Sequence, residues 1–199
     1  MKSCTIVPNY LPNLSYFCLL LQYDSWQIDE DFPFQKQSYR NRCEILLSNK
    51  VEKLVVPIRK LKGTDLMKDV IIDYKEDWRK KHWRGIQSAY GKTPFFEYYA
   101  PFFEKTFQKE HLRLIDLNSE LLNVVLKCLN LKPRFTADEG TESLSRLVVG
   151  KKFVLEFNGP SYEQPFGAVF HPNLSIIDLL FNIGPESLSF LKGYQISTF

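Results

Sequence analysis

The sequence predicts an α/β fold: a single-domain, three-layer sandwich with a mainly parallel sheet and additional C-terminal helices. Its 199 residues, 44% of them hydrophobic, suit one globular domain spanning residues 1–199. The chain opens with a short apolar run, a helical stretch and a second apolar run, which is the order of a parallel βαβ unit. Helical periodicity dominates from residue 77 to residue 129. These observations favour helices packed against a parallel sheet.

The first elements follow from apolar runs and the residues that bound them. Residues 5–7 predict a buried strand that Pro8 ends. Asn13 is a typical N-cap for a helix over residues 14–23. Residues 25–28 predict the second strand of the βαβ unit. Further strands are predicted at two short apolar runs, 54–56 and 70–72.

Three helices are predicted in the middle of the chain. Apolar residues recur every three or four positions from Trp78 to Ala89, and Gly91 ends this first helix. Thr93 as cap and Pro94 at the first position predict a second helix to about residue 107, interrupted at Pro101. The third helix is predicted over residues 119–129.

The last third of the chain is predicted in shorter pieces. They are a strand at 134–136, a helix around Leu144, a strand at 153–157 and a turn at 158–160. Residues 174–181 are apolar except for Asp178 and Ser175, and Gly184 with Pro185 starts a final helix that runs through Leu191.

Charge is unevenly distributed along the chain. Residues 36–92 hold fifteen Lys and Arg against seven Asp and Glu, although the whole chain has a net charge of only +3. This segment is basic enough to attract an anionic small molecule such as a nucleotide sugar or an acyl donor, or it is simply a solvated lysine-rich surface. Nucleic acid is not an expected partner, because no nucleic-acid-binding motif is present and the flanking segments are acidic.

The sequence predicts a soluble, cytoplasmic protein without membrane insertion. No signal peptide is recognisable, and the longest apolar run, residues 16–21, is too short to span a bilayer. The four cysteines include no CxxC pair, and the three histidines lack metal-ligand spacing, so no metal site is predicted.

Candidate binding residues come first from the N-terminal half. Asn9 and Tyr10 follow the first predicted strand, at the sheet edge where open α/β folds bind ligands, although a rigid turn there would explain them equally. Further along the chain, acidic and basic residues are clustered within residues 31–42, which is typical of an anion-binding site or of a surface ion-pair network. If the backbone is extended there, Arg40 and Arg42 would project from the same side of the chain. The group comprises Asp31, Lys36, Arg40, Asn41 and Arg42.

Two candidate bases lie further along the chain. Neighbouring cations are expected to lower the pKa of His82, which keeps a general base neutral at pH 7, whereas a histidine satisfied inside the core is the alternative. Asp178 sits in an apolar helix with Ser175 on the same face, so it needs partners or a polar cavity, and a structural ion pair with an arginine is the alternative to a catalytic role. We expect His82, Asp178 and Arg42 to meet in one positively charged hollow.

Four stretches of the chain carry distinctive motifs. They are residues 8–17, beginning Pro-Asn-Tyr-Leu-Pro; 31–42, ending Arg-Asn-Arg; 78–96, beginning Trp-Arg-Lys-Lys-His; and 173–186, containing Asn-Leu-Ser-Ile-Ile-Asp-Leu-Leu-Phe-Asn. In this order they resemble the WbqC-like protein family over most of the chain. The opening strand, loop and helix also resemble Rossmann-like or nucleotidylyltransferase-like folds, although the HxGH signature of the latter is missing.

The chain departs from the family pattern at several positions. Val7 stands where a Gln usually precedes the first proline, Glu30 begins what is usually an Asp-Asp pair, and Tyr39 stands where an Asn is expected. The region from about residue 140 to residue 162 looks shortened.

The resemblance implies a group transferase of bacterial surface-polysaccharide (O-antigen) biosynthesis, which would move an acyl or aminoacyl group onto an amino sugar in nucleotide-activated or lipid-linked form. His82 or Asp178 would then be the catalytic base. The substrate-binding residues would be Asn9, Tyr10, Asp31, Lys36, Arg40, Asn41, Arg42, Arg79 and Ser175. A non-catalytic binding or scaffold protein of the same pathway, or a paralogue that lost its activity, are the alternatives. The sequence indicates neither a cofactor nor an oligomeric state.

Overall fold

The computed structural model describes residues 2–48, 50–63, 65–132, 142–144, 160–167 and 169–194. Its strands are β1 (Ser3–Ile6), β2 (Ser25–Ile28), β3 (Arg42–Leu47), β4 (Lys50–Val55) and β5 (Glu142–Ser143). Its helices are α1 (Leu14–Leu20), α2 (Trp78–Tyr90), α3 (Phe96–Phe107), α4 (Leu114–Cys128), α5 (Ile176–Ile183) and α6 (Ser187–Lys192). Two 3₁₀ turns, Met67–Asp69 and Gly184–Glu186, complete the described elements. The predicted strands at 134–136 and 153–157 lie outside the described residues, as does most of the predicted turn at 158–160.

The N-terminal βαβ unit is confirmed. β1 and β2 pair in parallel from Ser3 opposite Ser25 to Ile6 opposite Ile28. Asn13 caps α1, since its side chain accepts a hydrogen bond from the Tyr16 N–H at 3.2 Å. β5 joins the other edge of β1, also in parallel. A parallel three-stranded sheet in the order β2-β1-β5 therefore stands at the start of the fold.

A second, antiparallel sheet was not predicted. β3 and β4 pair from Arg42 opposite Val55 to Leu47 opposite Lys50. Only two residues separate these strands, which is too short for the crossover that a parallel pair requires. The protein is thus a mixed α/β structure with one parallel and one antiparallel sheet. The three-layer arrangement with a mainly parallel sheet remains a prediction.

Several local predictions were wrong. The 70–72 run makes isolated bridges to Ile58 and Arg113 rather than a strand. The Thr93 hydroxyl donates to the Tyr90 carbonyl and so closes the end of α2, while α3 begins at Phe96. α3 continues through Pro101, and α4 begins five residues earlier than expected. Around Leu144 the described residues form β5 rather than a helix, because they pair with β1.

Helix α5 lies at the centre of the core. Five of its apolar side chains are fully buried, and such all-round burial is typical of a helix surrounded by others. The ring of Phe181 contacts those of Tyr90, Phe96 and Phe103, which joins α5 to α2 and α3. Within the described residues, no helix combines the length and the apolar character needed to cross a bilayer.

Candidate functional site

A basic groove opens where β3 begins and β4 ends. Its volume is about 380 Å³, within the usual range for small-molecule sites. Its polar lining comes from the loop before β3, from β3 itself and from the segment after β4. These residues are Lys36, Gln37, Asn41, Arg42, Arg59 and Lys60. We call this surface the basic groove.

No described acidic residue forms an ion pair with the four cations of the basic groove. Among the residues that the structure describes, ion pairs engage other lysines and arginines, and none engages Lys36, Arg42, Arg59 or Lys60. No carboxylate belongs to the described lining of the groove either. Unscreened cations in a concave surface raise the local concentration of anions.

Two groove residues are held in place by the backbone. The Asn41 side chain donates to the Val56 carbonyl at 2.9 Å, and Val56 donates its N–H to the Asn41 carbonyl at 2.8 Å. The Arg42 Nε donates to the Ser38 carbonyl at 3.1 Å, which leaves the terminal nitrogens of this half-buried side chain available. Asn41 and Arg42 are therefore oriented before any ligand binds.

Arg40 lies in the interior, away from Arg42. Its side chain is 0% exposed, and Nη1 donates to the Val7 carbonyl at 3.1 Å and to Asn9 Oδ1 at 2.8 Å. Burial lowers the pKa of Arg40 to about 10, which leaves it charged at neutral pH. The expectation that both arginines share a side was wrong, because β3 begins only at Arg42 and Arg40 precedes the extended backbone.

Tyr10 and His82 form a buried pair. Tyr10 Oη lies 2.8 Å from His82 Nδ1, and His82 also makes a backbone hydrogen bond to Val55. Burial lowers the pKa of His82 to about 4, against a smaller opposing effect of the Val55 bond. The imidazole is therefore neutral at pH 7, donating to the Val55 carbonyl and accepting from the Tyr10 hydroxyl. Both of its ring nitrogens are engaged.

Asp178 is fully buried in the first turn of α5. Its Oδ2 accepts hydrogen bonds from the Tyr162 hydroxyl and, at 2.9 Å, from Gln164 Nε2. Burial raises the pKa of Asp178, although the hydrogen bonds from Tyr162, Gln164 and Tyr90 oppose this. This environment supports a carboxyl group that takes up a proton more readily than an ordinary aspartate.

The raised pKa of Asp178 predicts how Asp178→Asn will behave. A group whose pKa is higher in the folded than in the unfolded protein stabilises most at low pH, and this contribution is lost as the pH rises through its folded pKa. We expect wild type to lose stability relative to Asp178→Asn as the pH rises from about 4, the ordinary pKa of an aspartate, towards neutrality. Urea unfolding of both proteins across this range measures the difference. A difference independent of pH would contradict the prediction.

The remaining predicted residues lie elsewhere. Asp31 forms an ion pair with Lys68. Arg79 donates to the Lys109 carbonyl and to Glu110, which follow the end of α3. The Ser175 hydroxyl donates to the Leu11 carbonyl at 2.8 Å inside the core. None of these three side chains belongs to the described lining of the basic groove.

The structure thus brings together Lys36, Asn41 and Arg42, and it pairs Asn9 with Arg40 and Tyr10 with His82. The described lining of the basic groove includes neither His82 nor Asp178. Sequence reasoning missed Arg59 and Lys60. The net positive charge of residues 36–92 was the signal that could have pointed to them. The described residues also contain no cluster of three or more His, Cys, Asp or Glu that could hold a metal ion.

The described residues define a mixed α/β protein with a basic surface groove. A sequence model of the WbqC-like protein family matches residues 8–150 and 151–190, and the chain belongs to this family. The two matched segments meet inside the region that looks shortened. The chain is also 29% identical to the uncharacterized protein Rv1507c of Mycobacterium tuberculosis over 230 residues, covering 96% of this chain and 98% of that protein. No solved structure matches the chain.

Proposed function

We propose that this protein binds a phosphate-bearing small molecule, such as a nucleotide sugar, in the basic groove and acts as a group transferase of surface-polysaccharide biosynthesis in the cytoplasm. The observation that carries the proposal is the set of four cations that make no ion pair with any described residue around a groove of about 380 Å³. The guanidinium groups of Arg42 and Arg59 suit bidentate contacts with phosphate oxygens. Asn41 would donate to, or accept from, a neighbouring hydroxyl or amide.

The dimensions of the groove favour a small anion over a nucleic acid. A duplex carries one negative charge per about 1.7 Å of its axis, so its binding surface is a long basic track rather than one local cluster. Ion pairs with acidic residues neutralise other basic side chains of the described chain, as at Lys50 and Lys53 on the adjacent hairpin. The groove instead gathers four cations without a described ion-pair partner in one concave surface.

We expect the double variant Arg42→Ala/Arg59→Ala to bind UDP at least about tenfold more weakly than wild type, since each charge-assisted hydrogen bond contributes about 1.5–3 kcal/mol. Isothermal titration with UDP and with pyrophosphate measures the loss. The affinity of wild type should also fall as salt is raised.

The matched control is Lys62→Ala, which removes an exposed cation one position beyond the groove lining. Its affinity should fall much less than that of the double variant, because Lys62 does not line the groove and salt partly screens an exposed charge. Unchanged UDP binding by the double variant, with a native unfolding profile, would contradict the proposed anion site.

One observation favours a second function, a binding protein without catalysis. His82 is buried with both ring nitrogens engaged, so it would have to give up a hydrogen bond before accepting a proton from a substrate. Asp178 is likewise closed off by Tyr162 and Gln164. Turnover by a reconstituted pathway separates the two functions: a transferase loses it in folded Asp178→Asn protein, whereas a binding protein does not.

A further inference from the structure

A second cleft lies at the opposite end of the β3–β4 hairpin. Its volume is about 740 Å³, and its walls are Ser48 after β3, the C-terminal part of α2 with the residues that follow it, the segment 163–166 and Asn182 of α5. Its lining includes the side chains of Ser48, Gln87, Ser88, Gln164, Phe166 and Asn182. We call this surface the amide cleft.

The amide cleft differs from the basic groove in charge. Among its described lining residues, Lys92 is the one cation and Glu163 the one carboxylate, so their charges cancel. The rest of the lining consists of amides, hydroxyls and apolar groups. An anion would find no net attraction there, whereas groups that both donate and accept hydrogen bonds would find partners.

Several polar groups of the cleft are available to a ligand. Ser48, Gln87 and Ser88 are exposed, and within the described part of the chain their side chains make no hydrogen bond. Asn182 Nδ2 donates to the Asp178 carbonyl at 2.7 Å, which fixes the amide and leaves its oxygen available. These groups line a space large enough for a ligand.

Gln164 is the most firmly oriented of these amides. Its Nε2 donates to Asp178 Oδ2 at 2.9 Å and to the His171 carbonyl at 3.0 Å, and its Oε1 accepts from the His171 N–H at 2.9 Å. A buried carboxylate that orients a cleft side chain pre-organises the site and lowers the entropic cost of binding. Asp178 is thus a positioning residue for the cleft.

The two surfaces are too far apart for one compact ligand. Arg42 begins β3 in the basic groove and Ser48 follows its end in the amide cleft. Six residues of strand span roughly 20 Å. The two surfaces therefore take different ligands or distant ends of an extended one.

We propose that the amide cleft binds an uncharged, polyhydroxylated ligand of sugar type. The remaining lone pair of Gln164 Oε1, the free amide groups of Asn182 and the hydroxyls of Ser48 and Ser88 together supply the donors and acceptors with which sugar hydroxyls pair. Phe166 offers an aromatic surface for the apolar C–H face of a ring. The binding claim stands on this geometry, and only the assignment of the ligand as the acceptor of a transferred group rests on the proposed function.

The test uses saturation-transfer NMR with defined probes at about 10 mM, a concentration that detects weak, millimolar binding. The probes are methyl glucoside, methyl galactoside, methyl mannoside, N-acetylglucosamine and N-acetylgalactosamine. Ser88→Trp fills the cleft from an exposed helix position, and Asn123→Trp is the control, an equal change on the exposed face of α4. Gln87→Ala removes one lining amide without adding bulk. UDP is titrated into the same samples.

We expect at least one probe to show saturation transfer with wild type and with Asn123→Trp, and to lose it in Ser88→Trp and weaken in Gln87→Ala. Absence of transfer from all five probes would overturn the inference, and so would transfer that survives both cleft variants. UDP binding should be unchanged by Ser88→Trp. Sugar binding without UDP binding would refute the proposed anion site while leaving the amide cleft in place, so the two failures are distinguishable.

Discussion

Replacing Arg40 by methionine is expected to lower the free energy of unfolding by about 2–6 kcal/mol, since each buried acceptor that loses its donor costs about 1–3 kcal/mol. The guanidinium is fully buried, bonds the Val7 carbonyl and Asn9 Oδ1, and lies 5.2 Å from the centre of the Phe32 ring. Methionine nearly preserves the volume but donates no hydrogen bond, so both acceptors lose a charged donor inside the core. Urea denaturation of the two proteins measures the loss.

The matched control is Arg59→Met, an exposed arginine of the basic groove, which should change the free energy of unfolding by less than about 0.5 kcal/mol. The pair of variants separates two roles. Arg59→Met should lose affinity for UDP and keep its stability, whereas Arg40→Met should lose stability. An Arg40→Met protein as stable as wild type would refute the structural role assigned to Arg40.

The β1-α1-β2 unit was predictable because its signals are local. An apolar run, a proline, an asparagine cap and a second apolar run lie within 24 residues and specify one arrangement. The same holds for α2, whose apolar face from Trp78 to Ala89 is continuous and whose end at Gly91 is marked. Tertiary contacts reinforce these preferences instead of opposing them.

The antiparallel hairpin was missed because its pairing depends on contacts between the two strands, which the pattern of each strand alone does not reveal. β3 contains alternating buried and partly exposed positions, and its first residue is an arginine that also lines the groove. In its partner strand β4, only the apolar end at 54–56 was predicted. The charged residues Lys50, Glu52 and Lys53 give the rest of β4 no apolar pattern. This pairing is determined by the contacts between the strands and by the two-residue connection between them, rather than by the strand propensity of each segment.

The candidate site was predicted by residue type more successfully than by location. The buried polar side chains of Arg40, His82 and Asp178 all make hydrogen bonds, because burying a polar or charged group without such partners costs free energy. Sequence spacing could not show that Tyr10 contacts His82 across 72 positions, or that Gln164, from the segment before α5, donates a hydrogen bond to Asp178. Such pairings depend on how the elements pack around α5.

His82 should make stability fall at low pH. Burial lowers its pKa from 6.5 to about 4 in the folded protein, so below pH 6.5 the unfolded chain takes up a proton that the folded protein resists. The contribution is fully present above pH 6.5 and is lost as the pH falls towards 4. At about 1.4 kcal/mol per pH unit, about 3 kcal/mol is at stake. We expect His82→Gln, which does not titrate, to lack this loss when unfolding is measured by urea at about pH 7.5 and about pH 4.5.

Tyr10→Phe is the control that separates burial from hydrogen bonding. It removes the 2.8 Å contact with His82 but keeps an aromatic ring over the imidazole, so the histidine stays buried. Because burial is the largest cause of the low pKa, the variant should be less stable than wild type at every pH yet keep its acid sensitivity. Lys81, the neighbouring cation, adds to the effect and is retained in both variants. Equal acid sensitivity of His82→Gln and wild type would mean that His82 titrates normally and is reached by solvent, which would restore it as a general base.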